Sequence, residues 1–310
     1  MTRYPVNRLC PLTGVAHDRV LAHVPVSAVA RDPSYQKNFI ELLGLKPDDE
    51  FPIVQSPAGF VFAGFELSDD FVVKSESEAT DHTVSAMDTI PWRRENLQFA
   101  NGFLRVVEQH YKAAPPPLKL LDFGCGYGGM LRLLGSRDVI PHGFDMSPAQ
   151  RKIAAASGAK IFDSADQVAA AGPYDLIVFT EVLEHLADPR ATLRFLRGAC
   201  KPGGLLAITV PDIPPSFVET AMAQFAATGE LALVFNPLVH VNHFSPLTLR
   251  QMLREEGFTV LHDHGRTQGT MDACAHYGDV PEPNLLLNAA RIAKRVWAAP
   301  PSTRLFCRLD

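Results

Sequence analysis

The stretch 119-KLLDFGCGYGG-129 lies near the middle of the chain, where strand-like and helix-like segments begin to alternate. Its apolar residues are typical of a buried strand, and its glycines are typical of a turn whose backbone can come close to a ligand. Gly124, Gly126 and Gly129 fit the pattern G-x-G-x-x-G. Many dinucleotide sites share that pattern, so the loop alone does not identify the ligand.

Strand-like and helix-like segments alternate downstream of this stretch. The runs LKLLDF, VIPHGFD, AKIFD, YDLIVFT, LLAITVP and FTVLHDH predict six strands. The segments between them predict helices, one starting with Ser147 as N-cap and Pro148 at its first position. A longer helix is predicted over 181–200, with an interruption near Asp188 and Pro189. The alternation indicates a Rossmann-like, doubly wound and mostly parallel α/β sheet, for which we expect seven strands.

Two flanking regions differ in sequence pattern from this central part. Residues 1–90 carry short β-like runs, and we expect them to form a cap over the substrate. An amphipathic pattern at 283–297 predicts a C-terminal helical tail. The predicted division is therefore a cap over 1–90, an α/β domain over 91–265 and a C-terminal extension over 266–310.

Composition argues against several classes of protein. Of the 310 residues 29 are Lys or Arg and 34 are Asp or Glu, and no long basic run occurs, so nucleic acid is not an expected partner. No apolar run reaches the roughly 18 residues of a membrane span. The five cysteines form no C-x-x-C pair, which disfavours a disulfide framework or a cysteine zinc site. These observations predict a cytoplasmic protein without membrane contact, and a homodimer is left open.

Five motifs, taken in sequence order, identify the ligand more specifically than the glycine loop does. They are LLDFGCGYGG, GFDMS, the acidic Asp163 after the third strand, YDLIVFTEVLEHLADP and LRGACKPGGLLAITVP. Together they resemble the class I S-adenosylmethionine (SAM) methyltransferases over about residues 118–265. The resemblance implies SAM as the cofactor and a small molecule, of natural-product or sugar type, as the acceptor. Oxygen is favoured over carbon or nitrogen as the methylated atom.

The resemblance also implies where the cofactor binds. Asp145, which ends the second strand, would bind the ribose hydroxyls. Asp122 would lie under the glycine loop, and Thr180, at the end of the fourth strand, would face the sulfonium. The other positions implied to bind the cofactor are Gly124, Gly126, Tyr127, Met146, Asp163 and Ser164.

Two regions supply candidates for proton removal from the acceptor, a task that suits histidine near neutral pH. In 180-TEVLEHL-186, helical spacing would put Glu181, Glu184 and His185 on one face. In 239-VHVNHFSP-246, His240 and His243 precede a predicted helix. The catalytic candidates are therefore Glu181 and these three histidines.

A divalent metal held by Glu181, Glu184 and His185 is the alternative to a histidine base. The E-x-x-E-H pattern resembles a metal site of the O-methyltransferases of ubiquinone synthesis and of small-RNA 3′-end methyltransferases. Carboxylate and imidazole ligands suit Mg²⁺, Mn²⁺ or Zn²⁺. Metal-free members of the family carry a similar pattern, with its acidic residues at a helix N-terminus. We therefore predict no metal and keep the alternative open.

Two other classes of function remain as alternatives. An NAD-dependent oxidoreductase would need a catalytic Tyr/Lys pair or a zinc set after the fourth strand, which we do not find in the sequence. A non-catalytic scaffold with the same fold would have no need of an intact glycine loop and Asp145.

Overall fold

The structure is a computed structural model that describes residues 2–29, 43–66, 94–111, 117–134, 139–263 and 302–310. Within 94–111 the side chains are described from Ala100 onward.

The described elements alternate along the central part of the chain, as the sequence predicts. The strands are β1 (Arg19–Pro25), β2 (Glu50–Gln55), β3 (Val61–Ala63), β4 (Leu118–Phe123), β5 (Val139–Phe144), β6 (Lys160–Phe162), β7 (Tyr174–Thr180), β8 (Cys200–Pro211), β9 (Asn242–His243), β10 (Phe258–Asp263) and β11 (Ser302–Leu309). The helices are α1 (Val26–Val29), α2 (Arg94–His110), α3 (Gly129–Leu134), α4 (Pro148–Ala154), α5 (Ala165–Ala171), α6 (Pro189–Ala199), α7 (Pro215–Thr228) and α8 (Pro246–Glu255). Turns of 3-10 helix lie at Ala155–Ser157, Leu183–His185 and Leu233–Phe235.

The large sheet has seven strands in the order β10-β11-β8-β7-β4-β5-β6. β4 pairs in parallel with both β5 and β7, β5 with β6, and β7 with β8. Because β7 is buried from its first residue until Thr180, its sequence is a nearly unbroken apolar run, as a sheet covered on both faces requires. The predicted Rossmann-like, mostly parallel seven-stranded sheet is confirmed.

The seventh strand comes from the end of the described chain. β11 lies antiparallel between β8 and β10, and it buries Leu305, Phe306 and Cys307. Seven strands are expected from the sequence, but only six of them are located by its pattern. The helix predicted at 283–297 lies outside the described residues, and the division of the chain into three parts stays a prediction.

A second, smaller sheet joins the N-terminal region to the central part of the chain. Its order is β1-β2-β3-β9, and its pairs are antiparallel. β9 belongs to the segment before α8, and it pairs Val61 with His243 and Phe62 with Asn242. The N-terminal region is therefore built into the central part of the chain through a shared sheet.

Helix starts follow local capping rules. Ser147 is the N-cap of α4 and accepts from the Gln150 N–H, as predicted. Ser245 is the N-cap of α8 and forms a reciprocal capping box with Thr248. None of the helices in the described ranges has the length and apolar character needed to cross a membrane.

The helix predicted over 181–200 starts later than expected. Asp188 caps it, because its carboxylate accepts from the Ala191 N–H at 2.9 Å, and Pro189 occupies the first position. Residues 181–188 therefore precede the helix, with only the 3-10 turn Leu183–His185 among them. The prediction that Glu181, Glu184 and His185 share one helical face is wrong for this reason.

Candidate active site

The predicted cofactor residues meet at the carboxyl ends of β4, β5 and β7. The chain runs from β4 outward through β5 and β6, then returns to the other side of β4 as β7. In doubly wound sheets the crevice at such a reversal is where ligands bind. Three predicted residues lie at this point: Asp122 on β4, Asp145 after β5 and Thr180 at the end of β7.

The glycine loop after β4 has a backbone that side chains would disturb. Gly124 has a φ of +80° and Gly126 a φ of +51°, both in the left-handed region. The Gly124 N–H donates to the Phe144 carbonyl at 2.7 Å, so the loop is held against the end of β5. A Cβ at Gly124 would overlap Val182 Cγ2, which shows how closely the turn after β7 packs on the loop. Tyr127 is half-buried within the same loop.

Asp145 has a carboxylate held in one orientation by its neighbours. Its two oxygens accept from the N–H groups of Gly126 and Ser147, each at 2.9 Å. With its amide nitrogen turned toward the carboxylate, Gln150 also donates to both oxygens, at 3.2 and 3.0 Å. The glycine loop and the predicted ribose ligand are therefore joined by a direct hydrogen bond.

Asp122 is a buried carboxyl group next to Asp145. It is 1% exposed, and among the described residues its Oδ1 has no hydrogen-bond partner. Burial, and then the charge of Asp145, raise the pKa of Asp122 to about 8. A buried acid of this kind fits a cationic group, since a nearby positive charge would ionise it. The ammonium of SAM has that character, so these residues fit the cofactor.

Arg151 joins the residues predicted around the adenosine. Its Nη1 donates to the carbonyls of Asp145 at 2.7 Å and Met146 at 3.0 Å. Its Nε lies 3.5 Å from Asp163 Oδ1, whose side chain is 81% exposed. Ser164 uses its hydroxyl as the N-cap of α5. Arg151 belongs to none of the sequence motifs, so its place among these residues is not predicted from the sequence.

The end of β7 contains a strained residue. Glu181 has a φ of 52°, a region that costs a non-glycine residue about 1–2 kcal/mol. Its N–H donates to the Thr209 carbonyl at 3.0 Å, while Thr180 is paired with Thr209 in the sheet. Strain of this kind collects at functional sites.

His185 and His240, predicted from separate segments, lie side by side. Their ring centroids are 4.8 Å apart. His185 Nδ1 is 3.0 Å from the Val239 carbonyl, and His240 Nδ1 is 3.3 Å from the Val234 carbonyl. Because a carbonyl oxygen can only accept, each Nδ1 carries the proton. The lone pair of each ring is therefore on Nε2 when the ring is neutral.

Glu184 completes a cluster with these histidines. It is 2% exposed, and its Oε1 lies 3.7 Å from His185 Nε2. One ligand atom from each of Glu184, His185 and His240 lies within 4.8 Å of the other two. Glu181 is not part of this group among the described residues. The candidate metal ligands are therefore Glu184, His185 and His240, with His240 in place of Glu181.

His243 is separated from solvent. It is 3% exposed, packs 4.8 Å from the ring of Phe235, and has no hydrogen-bond partner at either nitrogen among the described residues. Burial first, and then His240 and Arg8, lower the pKa of His243 to about 3. Its predicted role as a base stays a prediction, and its burial favours a packing role.

A comparison with known protein families assigns the central part of the chain to one family. The profile described as "Methyltransferase domain" matches residues 92–263, more than half of the chain. The match includes β4 to β10 and each residue of the site described above.

Curated relatives carry a more specific name over shorter stretches. The chain is 37% identical over 160 residues to the ubiquinone biosynthesis O-methyltransferase of Saccharophagus degradans, covering 48% of the chain and 66% of that relative. It is 41% identical over 120 residues to the enzyme of that name from Cereibacter sphaeroides (strain ATCC 17025), covering 34% and 47%. The chain thus spans between about half and two thirds of the length of these relatives.

Solved structures agree on the fold. The plantazolicin methyltransferase in complex with S-adenosylhomocysteine (SAH) superposes with a TM-score of 0.51 at 16% identity, covering 77% of this chain and 94% of that one. The cyclase SpnF gives a TM-score of 0.51 at 16% identity, covering 76% and 96%. At such identities the likeness is one of fold alone. The family match is what confirms the predicted family and its cofactor, SAM.

Proposed function

Because this chain belongs to the class I SAM-dependent methyltransferase family, we propose that it methylates an oxygen atom of a small-molecule acceptor, with His185 or His240 as the base. The observation that carries the proposal is the pair of imidazoles whose ring centroids are 4.8 Å apart, each with Nδ1 donating to a carbonyl. Such a ring offers Nε2 to accept a proton.

The cofactor, when bound, supplies a methyl group on an activated sulfonium, which an acceptor nucleophile displaces in line. The chain's own residues then have three tasks. Asp145 and the glycine loop bind and orient the cofactor at the carboxyl ends of β4 and β5. Asp122 offers a buried carboxyl group that the positive charge of the bound cofactor would ionise. His185 or His240 takes the proton from the acceptor hydroxyl. Alignment of the acceptor with the methyl group lowers the activation barrier by roughly 7–11 kcal/mol.

Oxygen is the preferred acceptor atom for two reasons. The curated relatives are named O-methyltransferases, at 37% and 41% identity over the matched stretches. A hydroxyl also needs a base near neutral pH, which suits an imidazole. Natural-product and sugar hydroxyls both satisfy these conditions. Methylation of nitrogen or carbon on the same fold is the alternative.

A metal-assisted reaction is the second candidate, because a specific cluster favours it. Glu184, His185 and His240 bring one carboxylate and two imidazoles within 4.8 Å of one another. That mixture of ligands suits Mg²⁺, Mn²⁺ or Zn²⁺. In this reading the two histidines would bind the ion, and the ion would lower the pKa of the acceptor hydroxyl.

The test is methyl transfer from isotope-labelled SAM to a panel of catechols, phenolic acids and sugars, with the methylated atom located by mass spectrometry and NMR. We expect O-methyl products, and we expect His185→Gln or His240→Gln to lower kcat by roughly 100-fold. SAH affinity should stay within twofold in both variants. His262→Gln, on the exposed edge strand β10, is the matched control and should keep wild-type kcat.

Each alternative has its own outcome in this experiment. Methyl groups on carbon or nitrogen would overturn the assignment to oxygen, and wild-type kcat in both histidine variants would overturn the base. Activity lost in EDTA and restored by Mg²⁺ or Mn²⁺ would favour the metal-assisted reaction over the metal-free one we expect. SAH binding without transfer to any acceptor would favour a non-catalytic scaffold.

A further inference from the structure

Arg8 is a buried arginine that joins three distant parts of the chain. Its side chain is 9% exposed and lies over the ring of Phe62, with 5.8 Å from Cζ to the ring centroid. Nη1 donates to the carbonyls of Ala63 at 3.3 Å and Val241 at 3.0 Å. Nη2 donates to the carbonyl of Ala187 and to Asn242 Oδ1, both at 2.8 Å.

The partner Asn242 extends this network to the turn after β7. It is 1% exposed, and its Nδ2 donates to the carbonyls of Leu183 at 3.2 Å and Leu186 at 2.7 Å. In addition, the Val241 N–H donates to the Glu184 carbonyl at 2.9 Å. Arg8 and Asn242 therefore clamp two segments together, 183–187 and 239–242, which we call the histidine turn and the β9 segment.

The residue type suits a clamp better than it suits an ion pair. In the described part of the chain the guanidinium hydrogen-bonds to three carbonyls and one amide, and to no carboxylate. Asp188 attracts it through space without a hydrogen bond, and a buried charge hydrogen-bonded only to neutral acceptors is costly for stability alone. The rigid planar fork of arginine can reach four acceptors in fixed directions, which the single ammonium of lysine cannot do.

We propose that Arg8 is a positioning residue for the methyl transfer proposed above. Through the Ala187 and Val241 carbonyls and the Asn242 side chain, it fixes the histidine turn against the β9 segment. His185 lies on the first of these segments and His240 on the second, so their relative position depends on the clamp. The proposal rests on the proposed function for its catalytic meaning, and on the contacts of Arg8 for its geometry.

The most sensitive consequence concerns His185. Its Nδ1 proton is donated to Val239, a residue of the β9 segment, at 3.0 Å. This bond keeps the lone pair on Nε2, and it exists only while the two segments keep their register. If the clamp loosens, the bond weakens and the ring samples both tautomers.

Arg190 provides the matched control. It also ties the N-terminal region to the central part of the chain, since its Nε donates to the Pro11 carbonyl at 3.1 Å and its Nη2 to the Leu12 carbonyl. Its Nη1 pairs with Glu256 at 2.8 Å. None of these contacts involves the histidine turn or the β9 segment. Arg190→Lys therefore tests loosening of the N-terminal region without release of the clamp.

The experiment is ¹⁵N NMR of the full chain labelled on histidine, with the two rings assigned from His185→Gln and His240→Gln. In the wild type we expect His185 to be almost wholly the Nδ1–H tautomer. In Arg8→Lys we expect a mixture of tautomers, while the Kd for SAH, by calorimetry, stays within twofold. Arg190→Lys should keep the wild-type tautomer. An unchanged His185 tautomer in Arg8→Lys, or the same change in Arg190→Lys, would overturn the proposal.

A second variant covers the case in which Arg8→Lys does not fold. Asn242→Asp keeps an oxygen for Arg8 but loses the donors to the Leu183 and Leu186 carbonyls. We expect the same mixture of tautomers, and a wild-type tautomer in this variant would contradict the clamp. Since the NMR readout needs no acceptor, it stands even if the proposed function fails. Where turnover is found, kcat should fall roughly 10- to 100-fold at an unchanged KM for SAM.

Discussion

The two sides of the candidate site are built by different means. What we propose as the cofactor side comprises the glycine loop, Asp122 and Asp145, and its hydrogen bond between Gly126 and Asp145 joins residues 19 positions apart. What we propose as the acceptor side comprises the histidine turn, the β9 segment and Arg8. There the bonds of Arg8 to Val241 and Asn242 join residues 233 and 234 positions apart.

The cofactor side therefore depends on residues close together in the sequence, whereas the acceptor side depends on residues far apart. Local hydrogen bonds and a compact motif form the cofactor side, so that side can be shared by many proteins of the family. Long-range contacts form the acceptor side, so a change in the N-terminal region alters it without altering the motif. We therefore expect substitutions on one side to leave the properties of the other largely intact.

The largest expected effect is on the cofactor side, at Gly124. Gly124→Ala should lower the free energy of unfolding by about 3 kcal/mol, because the new Cβ overlaps Val182 and the φ of +80° is strained for alanine. Urea denaturation measures this loss. Gly129→Ala is the control, since a Cβ at Gly129 meets nothing within 4 Å. Equal losses in both variants would mean that the loop does not pack on the turn after β7.

Asp145 gives the next largest effect, and it concerns binding. Asp145→Ala should weaken SAH affinity by roughly 100-fold in calorimetry, because it removes a charged acceptor and frees the Gly126 N–H. The tautomer of His185, on the acceptor side, should not change. Asp163→Ala removes an exposed carboxylate and should weaken affinity far less. Unchanged affinity in Asp145→Ala would remove this residue from the site.

The raised pKa of Asp122 predicts that the stability of the fold depends on pH. Its pKa of about 8 in the folded chain lies above the usual value of 3.8, so the folded state holds a proton that the unfolded state has lost. This stabilisation is complete below pH 3.8 and is lost as the pH rises toward 8. Relative to Asp122→Asn, the wild type should lose up to about 1.4 kcal/mol per pH unit in that window. Parallel stability curves for the two proteins would contradict the raised pKa.

The smallest expected effect is at Glu181, between the two sides. Glu181→Gly and Glu181→Ala both remove the carboxylate, but only glycine accepts a φ of 52° without strain. The glycine variant should therefore be more stable than the alanine variant by about 1 kcal/mol in thermal or urea unfolding. A stability order in which alanine equals or exceeds glycine would show that the backbone there is unstrained.

The same contrast explains what the sequence could predict. The succession of strands and helices along the chain, the helix cap at Ser147 and the residues proposed for the cofactor side all depend on local patterns. Periodicity and turn chemistry carry that information in contiguous residues. The family and its cofactor were predicted from motifs of this kind.

The missed features all depend on distant partners. β11 has apolar residues at its centre, yet nothing in its pattern indicates that it inserts between β8 and β10. β9 is two residues long, and only its pairing with β3 makes it a strand. The histidine turn is predicted as a helix because E-V-L-E-H fits helical spacing. Its hydrogen-bond partners in the structure, Val239 and Asn242, are more than 50 residues away in the sequence, so no local pattern indicates them. Arg8 belongs to no motif at all.

A SAM site can be distinguished from a dinucleotide site by calorimetric titration of SAH into the wild type and into the double variant His185→Gln/His240→Gln, with NADH as the control titrant. We predict that SAH binds both proteins with affinities within twofold, and that NADH binds neither. That result would support a SAM site on a cofactor side that is independent of the acceptor side. Binding of NADH, or no binding of SAH to the wild type, would contradict a SAM site at the glycine loop and Asp145.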